Sequence, residues 1–400
     1  MRIFIALLDG VGMGELPDAG HYGDEGSHTL RNLSRAVGGL CCPTLERLGL
    51  GLIEPIPGIA LLQPAEGGYG KMAERSPGKD TTVGHWEMMG AVIDRPFPVY
   101  PQGFPNRLMK KIEAVTGSRF LGNKPASGTA IIEEYGPEHI RTGFPIIYTS
   151  ADSVLQIAAH EDLISPEELY HLCRSVRMVM EGEDAVARVI ARPFVGNPGD
   201  FHRTPRRKDF SLPPPYPTVL DALVEHGKRT AGVGKIGDIF TGRGISESFK
   251  TTSNADTFRV FFELQADQHF DLVWANFNDF DSIYGHRNNV SGFKSALESW
   301  DAQLSEFLPR LRSNDILIIT SDHGCDPTTP STDHSREYAL LLVASPSIYS
   351  GFSLGIRESF ADIGATVAEG LEVVWRGPGM SFMSEWLVTA SQFFPSLILI

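Results

Sequence analysis

Three stretches of this chain run almost wholly apolar and then stop at an aspartate: IFIALLD at Asp9, LVWANFNDFD at Asp281 and ILIITSD at Asp322. Continuous apolar runs suit strands buried on both faces of a parallel sheet, which places strands at residues 3–8, 271–276 and 315–320. Helix-like periodicity falls between and after them, at residues 219–226, 290–311 and 359–369. This alternation predicts a doubly wound α/β core. Open sheets of that class bind ligands outside the carboxyl ends of their strands, so the chemistry is expected along one sheet edge.

The middle of the chain is punctuated differently. Pro96, Pro98, Pro101 and Pro105 crowd one stretch, and Pro213, Pro214, Pro215 and Pro217 crowd another. Stiff connectors of this kind separate compact units. The expected organisation is a core domain over residues 1–95 and 213–400, with an inserted smaller α/β cap domain over residues 96–212. Two proline-rich surface loops within one domain would give the same composition.

Histidines follow the last two aspartates closely: His286 after Asp281, His323 beside Asp322, and His334 a short loop later. Asp9, Asp281, His286, Asp322, His323 and His334 therefore read as ligands of a two-metal site. Their mixture of carboxylate oxygen and imidazole nitrogen suits Mn²⁺ or Zn²⁺ better than Ca²⁺, which prefers oxygen throughout. Two such ions clamp a phosphoryl group during in-line displacement. A net charge of −14 argues against broad nucleic-acid or anionic-membrane binding, so an anionic substrate needs a local basic pocket. With 42% hydrophobic and 21% charged residues, no uninterrupted apolar span of membrane length and no signal-peptide pattern, the expectation is a cytoplasmic protein, monomeric or a small homo-oligomer. Cys41, Cys42, Cys173 and Cys325 show no CxxC pair or disulfide framework and read as reduced thiols. Cys325 lies two residues after His323 and is expected to be a buried bystander.

Further segments carry candidate chemistry. GKDTTVGHWEMMG (residues 78–90) passes from a turn into a helix, where a threonine hydroxyl, Thr81 or Thr82, is a nucleophile if a metal draws off its proton. Asp and Thr are also common helix caps, and His85 and Glu87 read either as supports of the site or as plain helix residues. Arg188 and Arg192, with the basic run Arg203, Arg206, Arg207 and Lys208, offer forks for phosphate, or else a solvated basic face. GVGKIGDIFTGRGIS carries Lys235 but lacks both the P-loop and the dinucleotide fingerprint.

Taken together, LLDGVGMGELPDA, GKDTTVGHWEMMG, YTSADSVLQIAAHE, GKIGDIF, NDFDSIYGHR, TSDHGCDPTTPSTDHSREY and FADIGATVAE closely resemble, in order, the phosphopentomutases of the alkaline phosphatase superfamily. The resemblance implies an alkaline-phosphatase-like core with an inserted cap. It implies one Mn²⁺ on Asp281, His286 and His334, and a second on Asp9, Asp322 and His323. Thr81 corresponds to the threonine that carries the phosphoryl group. Asp152 and an arginine of the RVIARPF segment, Arg188, meet the sugar phosphate from the cap; Arg203 of the basic run is a further candidate substrate contact, and Lys235 approaches from the core.

The implied reaction interconverts ribose or 2-deoxyribose 1-phosphate with the 5-phosphate, for nucleoside catabolism or salvage. It proceeds through a phospho-threonine enzyme and a bisphosphate, primed by glucose 1,6-bisphosphate or a pentose bisphosphate. A metal-dependent phosphatase of the same superfamily, or a non-catalytic sugar-phosphate-binding protein, would keep the same Asp/His set. A phosphoglycerate mutase is disfavoured by the threonine and by YTSADSVLQ. Two departures are visible: DGVG where the family commonly has DSFG, and GHRNN where it has GHRRD. Neither removes a ligand. Residues 383–400, ending FFPSLILI, extend past the family pattern, and Pro395 and the short length argue against a membrane span.

Overall fold

A computed structural model describes residues 1–150, 153–348 and 350–385. The chain divides into two compact units, Met1–Arg95 with Pro214–Ile400, and Pro96–Pro213. In chain order the strands of the first unit begin with β1 (Arg2–Leu8), β2 (Gly12–Glu15) and β3 (Gly68–Met72). The second unit holds β4 (Leu121–Pro125), β5 (Ile146–Thr149), β6 (Val154–His160), β7 (Arg188–Val195), β8 (His202–Arg203) and β9 (Lys208–Ser211). The first unit resumes with β10 (Thr230–Val233), β11 (Glu247–Phe249), β12 (Leu272–Phe277), β13 (Asp315–Thr320), β14 (Glu337–Ala344) and β15 (Phe352–Arg357).

In the first unit the strands form one sheet in the order β11-β10-β12-β1-β13-β14-β3-β15, with β2 paired to β14. The five strands from β11 to β13 are mutually parallel, and β14 runs antiparallel to both neighbours. The apolar run of β1 has a physical reason: it is central and covered on both faces. Ile3 to Leu8 are at most 1% exposed. Phe4, Ala6 and Leu8 face a core in which Phe4 meets Phe261 and Phe307 edge-on at 5.8 and 5.7 Å, and Phe261 stacks on Phe307 at 4.6 Å. Each such side chain contributes about 1.5–3 kcal/mol by leaving water.

The expected strands and helices are found with small shifts. The helix expected over 290–311 stops earlier, at Val290–Phe307, and a 3₁₀ turn, Leu308–Arg310, follows. Pro309 is the cause, since it lacks the N–H that would continue the ladder. Asn289 caps this helix by accepting from the Gly292 N–H, and Gly10 adopts φ +76°, so both departures from the family pattern have a local structural role.

Register sets the geometry of the edge. Leu8 of β1 lies opposite Phe277 of β12, and Leu7 lies opposite Thr320 of β13. The chain therefore leaves three adjacent parallel strands at one level, and Asp9, Asp281 and Asp322 follow directly. The helix Thr81–Met88 is capped by Asp80, whose carboxylate accepts from the Thr82 and Val83 N–H groups. All eight of its residues are buried.

The second unit has its own sheet, β4-β5-β6-β7-β8, with β9 paired to β7. It packs on the helices Asn106–Thr116, Gly128–Thr142 and Pro166–Val179. Asp152 and most of the 383–400 tail lie outside the described residues. Among the described residues no helix is long and apolar enough to cross a membrane.

Gly84 lets the Thr81–Met88 helix sit against the end of β13. A Cβ there would lie 2.5 Å from the Asp322 carbonyl oxygen and 3.1 Å from Asp322 Cβ. Gly84→Ala should therefore destabilise the protein by about 1–3 kcal/mol despite the better helix propensity of alanine. The urea unfolding midpoint checks this.

Candidate metal centre

The six residues expected as ligands come together at the carboxyl edge of β12, β1 and β13. Asp9 follows β1, and Asp322 and His323 follow β13. Asp281 sits in a single π-helical turn, Phe280–Tyr284, with His286 in the 3₁₀ turn Gly285–Arg287 behind it. His334 arrives from the loop before β14. Two groups of potential ligand atoms form, each within 4.8 Å: Asp281 with His286 and His334, and Asp9 with Asp281 and His323. Asp281 belongs to both. Asp322 joins the second group through Oδ2, 3.3 Å from His323 Nε2.

The hydrogen bonds of the imidazoles define what these groups want. Nδ1 of His286 faces the Thr332 carbonyl at 2.6 Å, Nδ1 of His334 the Lys79 carbonyl at 2.8 Å, and Nδ1 of His323 the Gly324 carbonyl at 3.0 Å. A carbonyl only accepts, so each Nδ1 carries a proton and each Nε2 is turned into the centre. There the Nε2 atoms of His286 and His334 stand 3.1 Å apart, and both approach Asp281 Oδ1, at 3.3 and 3.2 Å. At most one proton fits between those two nitrogens. Asp9 Oδ1, Asp281 Oδ1 and Asp322 Oδ2 are buried without a hydrogen-bond partner. Orphaned carboxylate oxygens beside inward-facing imidazole nitrogens fit divalent cations.

Neighbouring cations hold Asp9 and Asp281 ionised. Burial disfavours the charge on Asp9, but Lys235, whose Nζ lies 3.2 Å from Oδ2, and His323 together outweigh it and keep the carboxyl well below its ordinary range. Burial likewise opposes ionisation of Asp281, and His334, His286 and Lys235 reverse that balance. His323 shows the converse: burial disfavours the imidazolium, yet Asp322 and Asp9 push its pKa well above 6.5. Gly10 donates its N–H to Asp322 Oδ1 at 3.2 Å.

Thr81 is the first residue of its helix, 7% exposed, with Oγ1 3.1 Å from His323 Nε2. Its hydroxyl thus faces the centre, while Asp80 does the capping. Two supports are not assignable from spacing. His85 donates from Nδ1 to the Thr81 carbonyl at 2.8 Å and stacks on Trp274. With that proton placed, His85 Nε2 accepts from Asn276 Nδ2 at 3.2 Å, and the same amide donates to Asp9 Oδ2 at 3.1 Å. Asn276, hidden inside an apolar run, is a residue that sequence reasoning missed; its polarity in a buried strand was the available signal. Cys325 is buried and unbridged, and burial raises its thiol pKa first of all, with Asp281 and Asp9 adding to the effect.

In the second unit Arg188 opens β7, with Nη1 3.7 Å from Asp209, and Arg207 grips the same carboxylate with two bonds of 2.7 Å. Burial, and then Arg207, bring Arg192 down to about 10. Arg203 is exposed on β8.

A family model described as the metalloenzyme superfamily matches residues 1–374. A phosphopentomutase of Carboxydothermus hydrogenoformans is 56% identical over 386 residues, covering 96% of this chain and 99% of the relative. That of Dictyoglomus turgidum is 53% identical over 384 residues, covering 96% and 98%. The chain belongs to the phosphopentomutase family. Phosphopentomutases are mutases, and this chain is accordingly an enzyme of the isomerase class. The superfamily and the two ligand groups together point to dependence on a divalent metal.

Because His323 holds its Nε2 proton well past neutrality, a cation must displace it. Adding Mn²⁺ to chelator-treated protein at pH 7 should release on the order of one proton per protein from this ring. Affinity should rise with pH until the His323 pKa is passed. Calorimetric titration in two buffers of different ionisation enthalpy measures the release.

Proposed function

We propose that this enzyme interconverts ribose 1-phosphate or 2-deoxyribose 1-phosphate with the corresponding 5-phosphate, carrying the phosphoryl group on Thr81. The observation that supports this best is the Thr81 hydroxyl, buried at a helix start and 3.1 Å from an imidazole nitrogen of the Asp/His centre. The relatives are phosphopentomutases, and this supplies the substrate class.

Asp281, His286 and His334 would hold one divalent ion, and Asp9, Asp322 and His323 the other, with Mn²⁺ matching the mixed oxygen and nitrogen donors. Bound there, the pair supplies positive charge at the attacking and leaving oxygens of an in-line phosphoryl transfer. The chain's own groups do the rest. Phospho-Thr81 gives its phosphoryl group to the free hydroxyl of a pentose monophosphate: the bond from phosphorus to Oγ1 breaks, the bond to the sugar oxygen forms, and the hydroxyl proton ends on Oγ1. The resulting bisphosphate rebinds in the opposite sense and returns its other phosphate to Thr81. Glucose 1,6-bisphosphate or a pentose bisphosphate primes the first turnover.

Lys235, already beside Asp9, offsets charge on the phosphoryl oxygens. Asp152, Arg188 and Arg203 hold the end of the substrate that is not reacting, arginine being suited to phosphate by its planar fork. Water must be kept from the phospho-threonine, since its attack would make the enzyme a phosphatase.

Ribose 1-phosphate with Mn²⁺ and glucose 1,6-bisphosphate, followed by phosphorus NMR, should yield ribose 5-phosphate with little inorganic phosphate. Release of inorganic phosphate alone would replace this reading with a phosphatase. Thr81→Ala should lower turnover by more than about 10³-fold while leaving metal content near that of the unaltered protein. Mass spectrometry after treatment with the bisphosphate should find the added phosphate on Thr81 and lose it in the variant.

A further inference from the structure

The loop that delivers Thr81 is held from behind by one guanidinium. Arg336, whose side chain is 4% exposed, donates from Nη1 to Glu74 Oε2 at 2.6 Å, to the Ser76 carbonyl at 2.8 Å and to the Gly78 carbonyl at 2.7 Å. Its Nη2 donates to the Glu74 carbonyl and to Asp18 Oδ2, each at 3.0 Å, and its Nε faces both Asp18 oxygens at 3.1 and 3.2 Å. The carbonyls of residues 74, 76 and 78 are thus gathered on one planar fork, two residues short of Asp80. Gly78 is fixed from the other side as well, its N–H donating to the Tyr22 hydroxyl at 3.0 Å.

The same stretch orients a ligand of the centre. Lys79 presents the carbonyl that receives His334 Nδ1, while its ammonium binds Asp24, whose Oδ2 also accepts the Arg336 backbone N–H at 2.9 Å. Residues 333–336 and 74–80 are therefore laced together, and Arg336 is the residue with the most bonds in the lacing. A lysine has three donors at one point and cannot span three carbonyls.

We propose that Arg336 is a positioning residue for phosphoryl transfer, holding residues 74–80 so that the Thr81 hydroxyl and the His334 ring keep their places at the centre. The inference rests on the reading of Thr81 as phosphoryl acceptor. It follows from the sensitivity of in-line transfer to displacements of about 1 Å, which cost on the order of 10²-fold in rate. Arg336 touches no reacting atom.

The test uses full-length Arg336→Lys and the milder Asp18→Asn, the second in case the first fails to fold. Single-turnover phosphorylation of Thr81 by glucose 1,6-bisphosphate, kcat and KM for ribose 5-phosphate, metal content and thermal midpoint are measured on each. Per folded, metal-loaded molecule, Arg336→Lys should slow phosphorylation and kcat by about 10²-fold, and Asp18→Asn by about 10-fold, with KM and metal content little changed. A lowered thermal midpoint with wild-type kcat per folded molecule would reduce Arg336 to a structural residue and overturn the proposal. The ¹⁵N signature of the His334 Nδ1–H, bonded to Lys79, reports loop position independently of chemistry. If unaltered protein never forms phospho-Thr81, the functional reading fails by itself. An unmoved His334 signal in Arg336→Lys would then refute the positioning role separately.

Discussion

The structure depends on gathering three carboxylates where water cannot reach them. Asp9, Asp281 and Asp322 are 0–3% exposed, and charges on Asp9 and Asp281, whose oxygens lie within 4.8 Å of each other, repel by about 3–4 kcal/mol even at an effective dielectric constant of about 20. Burying each ion costs several kcal/mol more. One ammonium, one amide and three inward-turned imidazoles are gathered around them. Those groups leave an oxygen on each acid without a hydrogen bond. A site with that deficit is completed by cations of higher charge, and any oxygen that shares those cations is drawn toward ionisation. This is the condition a threonine hydroxyl needs to act as a nucleophile.

The fold meets the condition cheaply because register replaces long loops. β12, β1 and β13 are adjacent and parallel, and they end level. Side chains one to four residues beyond those ends converge without any large excursion of the backbone. The apolar cladding of β1 fixes the register, since a slip of one residue would turn Phe4, Ala6 and Leu8 away from their aromatic core and move Asp9 off the edge. Packing energy stored in the sheet thus sets the positions of the Asp/His groups, and Gly84 lets the Thr81–Met88 helix close in from the side.

Much of this was legible in the residues themselves. Apolar runs that end at aspartate exposed the central strands and the acids together, because strand burial and ligand placement use the same stretch of chain. Thr81 needed the family resemblance to be separated from Thr82, and the structure supplies a physical distinction: Asp80 takes the Thr82 N–H, whereas the Thr81 hydroxyl faces His323. What stayed hidden were the groups that act through others. Asn276 lies within a strand, and Arg336 two residues past His334, and neither has a spacing that announces its partners, which come from up to 318 residues away in sequence. Helix ends were legible only where a local cause wrote them: Pro309 ended the 290–307 helix inside a stretch whose periodicity continued.

A centre that holds two divalent cations does not by itself decide between mutase and phosphatase, since such a pair serves phosphoryl transfer to a sugar or to water. What differs, on the proposed mechanism, is the lifetime of the phospho-threonine when a bisphosphate departs or turns. Retaining the group demands a second phosphate grip strong enough to keep the intermediate near the enzyme and indifferent to which end of the sugar it holds. Arginine forks suit that task because they read a phosphate by its planar geometry and charge rather than by the sugar attached. Arg188 and Arg207 meet at Asp209, and Arg192, whose pKa burial lowers, lies close enough to Arg207 for it to fall further, so several such forks are gathered at one carboxylate. On this reasoning the reaction class turns on how the substrate's second phosphate is held, and not on the metal centre alone.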